Sequence, residues 1–205
     1  MPDAPMQNTL KNICVYCGSG NGRNPVYAQT ARALGVALAE ANIGLVYGGG
    51  SIGLMGEIAR SVMNAGGYVT GIIPEFLSQQ ELMLKDVQEL IVTHSMHERK
   101  QVMFEKSDAF VALPGGVGTL EELVEQLTWS QLGQHSKPCV LMDIKEFWAP
   151  FLSLIEHMRR EAFIRPGLEV HLTAVKNVED VIPVVRNLVA ATLDSERDLI
   201  SPEKF

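Results

Sequence analysis

Two short runs carry side chains that could do chemistry together. In Pro114-Gly115-Gly116-Val117-Gly118-Thr119-Leu120-Glu121-Glu122, an apolar stretch gives way to glycines, a hydroxyl and carboxylates. Glycines at 115, 116 and 118 leave no Cβ to hold an anion off the backbone. Successive N–H groups and the start of the following helix can then converge on a phosphate. Thr119 adds a hydroxyl, and Glu122 sets a carboxylate one turn inside the helix. The second run, Ser95-Met96-His97-Glu98-Arg99-Lys100, opens another helix. Helical spacing puts Met96, Arg99 or Lys100, and Met103 on one side, which places a cation among apolar side chains. Together the runs suit chemistry on a phosphorylated ligand.

Plainer roles compete for the same residues. Thr119 with Glu122, and Ser95 with Glu98, each fit a capping box that only closes a helix end. A box explains the threonine and the glutamate but not three glycines behind a proline. A basic pair such as Arg99-Lys100 can simply snorkel along a surface helix. His94 and His97 have no third histidine nearby in sequence, so no metal site is expected. Cys14 and Cys17 stand three apart in a strand-like run and point to opposite faces, which argues against a redox or zinc pair.

The elements that must hold these residues follow from the apolar pattern. Strands are expected at 12–16, 44–47, 68–73, 89–93, 109–113 and 139–142, and helices at 25–41, 54–65, 96–106, 120–132, 147–161 and 178–193. This alternation predicts an α/β, Rossmann-like, doubly wound parallel sheet with helices on both faces. The chain of 205 residues suits a single domain over 11–193, between a flexible N-terminal segment 1–10 and a flexible C-terminal tail 194–205.

In such folds ligands gather at the carboxyl ends of the strands. Loops with Gly18 and Ser19, with Gly48, Gly49 and Gly50, and with Gly115 and Gly116 all fall there, so a nucleotide-sized ligand is expected. Gly48, Gly50 and Gly53 match the dinucleotide fingerprint, but it follows the second strand instead of the first. A nicotinamide cofactor is therefore the weaker reading, and the absence of a G-x-x-x-x-G-K-[ST] run speaks against a Walker-type phosphoryl transferase. The net charge of −7 disfavours a nucleic-acid partner, and no apolar run is long enough to cross a membrane. With no signal-like N-terminus, a cytoplasmic location is expected.

Met96-His97-Glu98-Arg99-Lys100 and the run from Pro114 to Glu122, with Ile13 to Ser19 and Tyr47 to Gly50, resemble the Lonely Guy (LOG) family. Its members are cytokinin riboside 5'-monophosphate phosphoribohydrolases. Gly20 stands where many members carry serine. The resemblance implies hydrolysis of the N-glycosidic bond of an adenine-type nucleoside monophosphate, commonly including AMP, without a cofactor or metal. It implies Arg99 and Glu122 as catalytic residues, and substrate contacts from Glu81, Arg99, Lys100, Gly115, Gly116, Val117, Gly118, Thr119, Glu122 and Thr128. Gly18, Ser19, Gly49 and Gly50 are secondary candidates. A homodimer is implied as well. Two other readings stand beside it. Members have been labelled lysine decarboxylases, which would need pyridoxal phosphate on a lysine, and similar P-G-G-x-G-T loops occur in non-catalytic molybdenum-cofactor carriers.

Overall fold

The computed structural model describes residues 10–78 and 83–193 in full, and 194–200 as helix backbone. The expected flexible segment 1–10, except for Leu10, lies outside the described residues, as do 201–205 of the expected tail. Seven strands run β1 (Asn12–Tyr16), β2 (Gly44–Tyr47), β3 (Val69–Pro74), β4 (Glu89–Thr93), β5 (Ala109–Ala112), β6 (Cys139–Met142) and β7 (Thr173–Val175). The helices are α1 (Val26–Glu40), α2 (Gly53–Asn64), α3 (Glu75–Ser78), α4 (Met96–Glu105), α5 (Val117–Gln131), α6 (Ala149–Arg160) and α7 (Val178–Ile200).

All strands pair in parallel in the order β4-β3-β2-β1-β5-β6-β7. From β1 the chain steps outward to β4, then returns to lay β5 on the free side of β1. The carboxyl ends of β1 and β5, in register at Tyr16 and Ala112, thus flank the topological switch point, where α/β sheets leave a crevice.

Both faces of the sheet are covered, which is why the strands read as continuous apolar runs. On one face Ile13, Val15, Cys17, Leu45 and Tyr47 pack with residues of α1, α2 and α7. On the other, Cys14, Tyr16, Val46 and Phe110 pack with Met103 of α4 and with Leu123 and Leu127 of α5. Cys14 and Cys17 accordingly join opposite cores, as their spacing in a strand requires. Strand β7 and the single turn α3 add to the expected elements. Thr-Ala-Val is too short to show a period of two. Helix α7 continues past the expected end at Leu193 to Ile200, because no glycine or proline interrupts the chain before Pro202.

Candidate active site

The three glycine-rich loops lock together above the switch point. Gly18 N–H donates to Pro114 O at 3.1 Å, and Leu54 N–H donates to Gly18 O at 3.0 Å. Gly53 takes a left-handed φ of +59° with its Cα facing the Ser19 backbone, where any Cβ would collide. Beside this joint lies a recess of about 230 Å³. Val15, Cys17, Gly18 and Ser19 line it from β1 and its loop, Gly48 and Met55 from β2 and α2, and Leu77 from α3. Met96 and Arg99 enter from α4, and Gly116, Gly118, Thr119 and Glu122 close it from α5.

Helix α5 begins earlier than the pattern 120–132 predicts. Its N-cap is Gly116, in extended conformation and without a side-chain cap, so Thr119 is inside the first turn. The capping box of Thr119 and Glu122 does not form. Without side chains at 116 and 118, the first-turn N–H groups, which have no partner within the helix, stay open to an anion. A Cβ at either glycine would meet nothing within 4 Å, whereas one at Gly115 would run into the Thr119 side chain. Released from capping, Glu122 faces the recess while only 9% exposed.

The second run forms its N-cap at Ser95 as expected, with only the reciprocal bond of the box displaced by one residue. Ser95 Oγ accepts from Glu98 N at 3.1 Å, but the Glu98 carboxylate accepts from His94 N at 2.7 Å, not from Ser95. This cap fixes the start of α4 and points Arg99 into the protein, where it is 6% exposed. Arg99 Nε donates to Ile72 O and Nη2 to Gly48 O, each at 3.2 Å. The guanidinium is thus pinned across the ends of β3 and β2, with Nη2 at 3.7 Å from Glu122 Oε1. Gly48 is required for this seat, because a Cβ there would overlap Nη2 itself.

Burial pushes the Glu122 carboxyl up to about 7, against the pull of Arg99. Glu121 and Glu125 push the same way as burial, and Lys100 the same way as Arg99. A carboxyl poised near neutrality can exchange a proton at the pH where it works, which is the property of a general acid or base.

The expected site residues divide on this geometry. Arg99, Gly116, Gly118, Thr119, Glu122, Gly18 and Ser19 meet at the recess. Lys100 does not line it; its ammonium bonds Glu121 at 2.5 Å and Glu125 at 2.9 Å. Thr128 is exposed and donates to Val124 O at 2.8 Å, and Val117 is 84% exposed. Gly115 lies behind the recess wall against Thr119. Of the second loop, Gly48 lines the recess, while Gly49 O accepts from Leu84 N and Gly50 bridges to Met83. Glu81 lies outside the described residues. Gly48 was expected only as part of a glycine-rich loop and Cys17 was weighed only as a redox or zinc ligand, while Val15, Met55 and Leu77 were not singled out from sequence as site residues.

The chain is similar to known proteins over most of its length. A family model described as "Possible lysine decarboxylase" matches residues 55–185. A cytokinin riboside 5'-monophosphate phosphoribohydrolase of Rhodococcoides fascians is 45% identical over 185 residues, covering 90% of this chain and 93% of that protein. One of Arabidopsis thaliana is 44% identical over 185 residues, covering 87% of each. Among solved structures, the molybdenum cofactor carrier protein of Chlamydomonas reinhardtii superimposes with a TM-score of 0.66 at 24% identity, over 88% of this chain and 99% of that one. That likeness is one of fold. Decarboxylase chemistry would call for pyridoxal phosphate bound to a lysine. Among the described residues that line the recess there is no lysine, and Lys100 is engaged by two carboxylates, so the site does not fit that cofactor. With the paired Arg99 and Glu122 signatures meeting in one recess, and identity of 45% across nearly its whole length, the chain belongs to the Lonely Guy family of cytokinin riboside 5'-monophosphate phosphoribohydrolases.

Proposed function

We propose that this chain hydrolyses the N-glycosidic bond of cytokinin riboside 5'-monophosphates and of AMP, releasing the adenine-type base and ribose 5-phosphate. The observation that carries the reading is the buried carboxylate of Glu122 beside the pinned guanidinium of Arg99, at 3.7 Å, next to an uncapped helix start. In this reading the 5'-phosphate rests on the N–H groups from Gly116 to Thr119. The sugar then lies over Glu122. As the bond from C1' to the base lengthens, positive charge spreads over the sugar, and a fixed carboxylate stabilises it. Glu122 also orients the water whose oxygen joins C1', and the proton given up by that water ends on the departing base. Arg99 stays charged throughout and orients Glu122.

Lys100 serves this site from outside the recess, by neutralising Glu121 and Glu125 next to Glu122. We keep Glu81 as a contact to the ribose or base edge, and Thr128 as a contact reached from the outer side of α5. The active form in this proposal is a homodimer. Val117, Leu120 and Val124 are exposed by 84%, 37% and 40% and recur at helical spacing on α5, a stripe suited to an isologous contact. The buried, free thiols of Cys14, Cys17 and Cys139 suit the reducing cytoplasm, where we place the reaction.

The test is chromatographic. The purified protein is incubated with AMP and with isopentenyladenosine monophosphate, and free base and ribose 5-phosphate are separated and quantified. Release of both products, lost in Glu122→Gln, is the expected result. Saturable binding with no base released would overturn the hydrolase reading in favour of a nucleotide carrier.

A further inference from the structure

A second cavity, of about 300 Å³, borders the recess, and the mechanism above does not use it. Gly18 to Gly22 and Leu54 form one side of it, Pro114 to Gly116 another, and the rings of Tyr27 and Phe147 the rest. Gly18, Ser19 and Gly116 face both cavities, so the two share a wall. This one therefore lies at the same switch point, where α/β folds place their ligands. Its volume reaches the lower end of the range for small-molecule sites, which begins at about 300 Å³.

The aromatic wall is built at a cost to the backbone. Lys145 and Glu146, between β6 and α6, take left-handed φ values of +55° and +58° in succession, a region that residues with a Cβ rarely enter. Ile144 before them is 6% exposed and Trp148 after them 3%, each packed into a core cluster. Between these anchors the turn sends Phe147 outward, 36% exposed, to the cavity. Its ring meets Tyr27 edge to face at 6.0 Å and Trp148 at 5.1 Å. Packing at such angles leaves a ring face on which a third ring can stack. Tyr27 is seated in turn by Gly22, whose φ is +68° and where a Cβ would stand 2.8 Å from the Tyr27 ring. Strain held for the sake of an outward aromatic, and not for the core, points to a ligand clamp.

The lining selects the ligand. None of the described residues around the cavity carries a charge, whereas the recess holds Arg99 and Glu122. It therefore offers no cationic side chain to a phosphate or a carboxylate. Two rings suit a flat aromatic body, and the exposed Ser19 and Asn21 bring a hydroxyl and an amide to meet a polar edge. A neutral ring with hydrogen-bonding edges that stacks on aromatic side chains is what a purine base offers. The proposed reaction releases such a base on the other side of the shared wall. We propose that this cavity binds the free adenine-type base, apart from the recess in which the glycosidic bond is cut. Its identification as a site for the product rests on the proposed hydrolysis.

Leucine methyls report the two cavities separately, because Leu54 lines this one but not the recess, and Leu77 the recess but not this one. The protein is labelled with carbon-13 at its leucine methyls, the two sets of signals are assigned by Leu54→Ile and Leu77→Ile, and adenine is titrated in with ribose 5-phosphate held at saturation. The Leu54 signals are expected to move saturably. Phe147→Ala removes the stacking face, and Gly20→Phe fills the cavity from a position where a Cβ meets nothing within 4 Å. Each, as a folded protein, should weaken the titration about tenfold or more. Leu54 signals that stay still up to the solubility of adenine, or that move with parent affinity in either variant, would overturn the proposal. So would movement of Leu77 without Leu54, which puts the base in the recess. Base release from AMP tests the reaction separately. A responsive Leu54 in a protein that hydrolyses no nucleotide keeps the base site and removes its role as a product site, whereas hydrolysis beside a silent Leu54 defeats this inference alone.

Discussion

Replacing Glu122 by glutamine should abolish hydrolysis and yet stabilise the protein, by an amount that depends on pH. The carboxyl is moved from its ordinary 4.5 to about 7, chiefly by burial. The folded chain therefore holds a proton that the unfolded chain releases between those two values. Stability falls as pH rises through this window and has lost the full amount above pH 7. At about 1.4 kcal/mol per pH unit, the span corresponds to about 3 kcal/mol. Glutamine resembles the protonated side chain and does not ionise, so the variant escapes this loss. Urea unfolding of both proteins should give nearly equal stabilities at pH 4 and a gap of about 3 kcal/mol in favour of Glu122→Gln at pH 8, with equal m-values. In thermal melts at pH 8 the gap appears as a midpoint higher by about 6–12 °C for a chain of this size. A gap that stays constant from pH 4 to pH 8 would refute the reasoning, because Glu122 would then not be a carboxyl held neutral by its surroundings.

Three further outcomes are expected. Gly48→Ala should lower kcat for AMP about 100-fold in a folded protein, because its Cβ displaces Arg99 from both backbone carbonyls and misplaces Glu122; a parent-like kcat would show that the seat does not matter. Gly118→Asp meets no steric obstacle and suits a helix start, so it should fold normally while repelling the phosphate, and raise KM for AMP more than about tenfold in steady-state kinetics. Val124→Asp, at the C-terminal end of the exposed stripe on α5, should convert a dimer to a monomer in light scattering at working concentration.

The sheet was readable from sequence because its central strands are buried on both faces and stand out as apolar runs between glycine-rich turns. Six strands fell within about a residue of their places, whereas β7 escaped because an edge strand of three residues carries no period. The partnership of Arg99 with Glu122 was legible only as two signatures. What brings them together is the pairing of β1 with both β2 and β5, which lays α4 and α5 side by side over one face. The seat of Arg99 was out of reach for the same reason: it is made of backbone carbonyls at Gly48 and Ile72, whose side chains do not announce it. Local rules misread the start of α5, where a threonine and a glutamate spaced as a cap are both turned inward instead. Lys100, adjacent to Arg99, looked equally available to a ligand until the two acids on the neighbouring helix claimed it.

The interlocked loops also limit how the chain can change in length. Loops at the carboxyl ends of strands are where α/β proteins usually take up inserted segments. Here the turn after β1 is bonded to both the turn after β5 and the start of α2, and Gly53 leaves no gap against Ser19. An added residue in any of these turns would part the others and open the phosphate seat. The opposite rim of the sheet, such as Asn64 to Gly67 before β3, is joined in no such way to the recess. That rim is the place for a fused tag or a permuted terminus, since a segment added there leaves the joint over the switch point untouched.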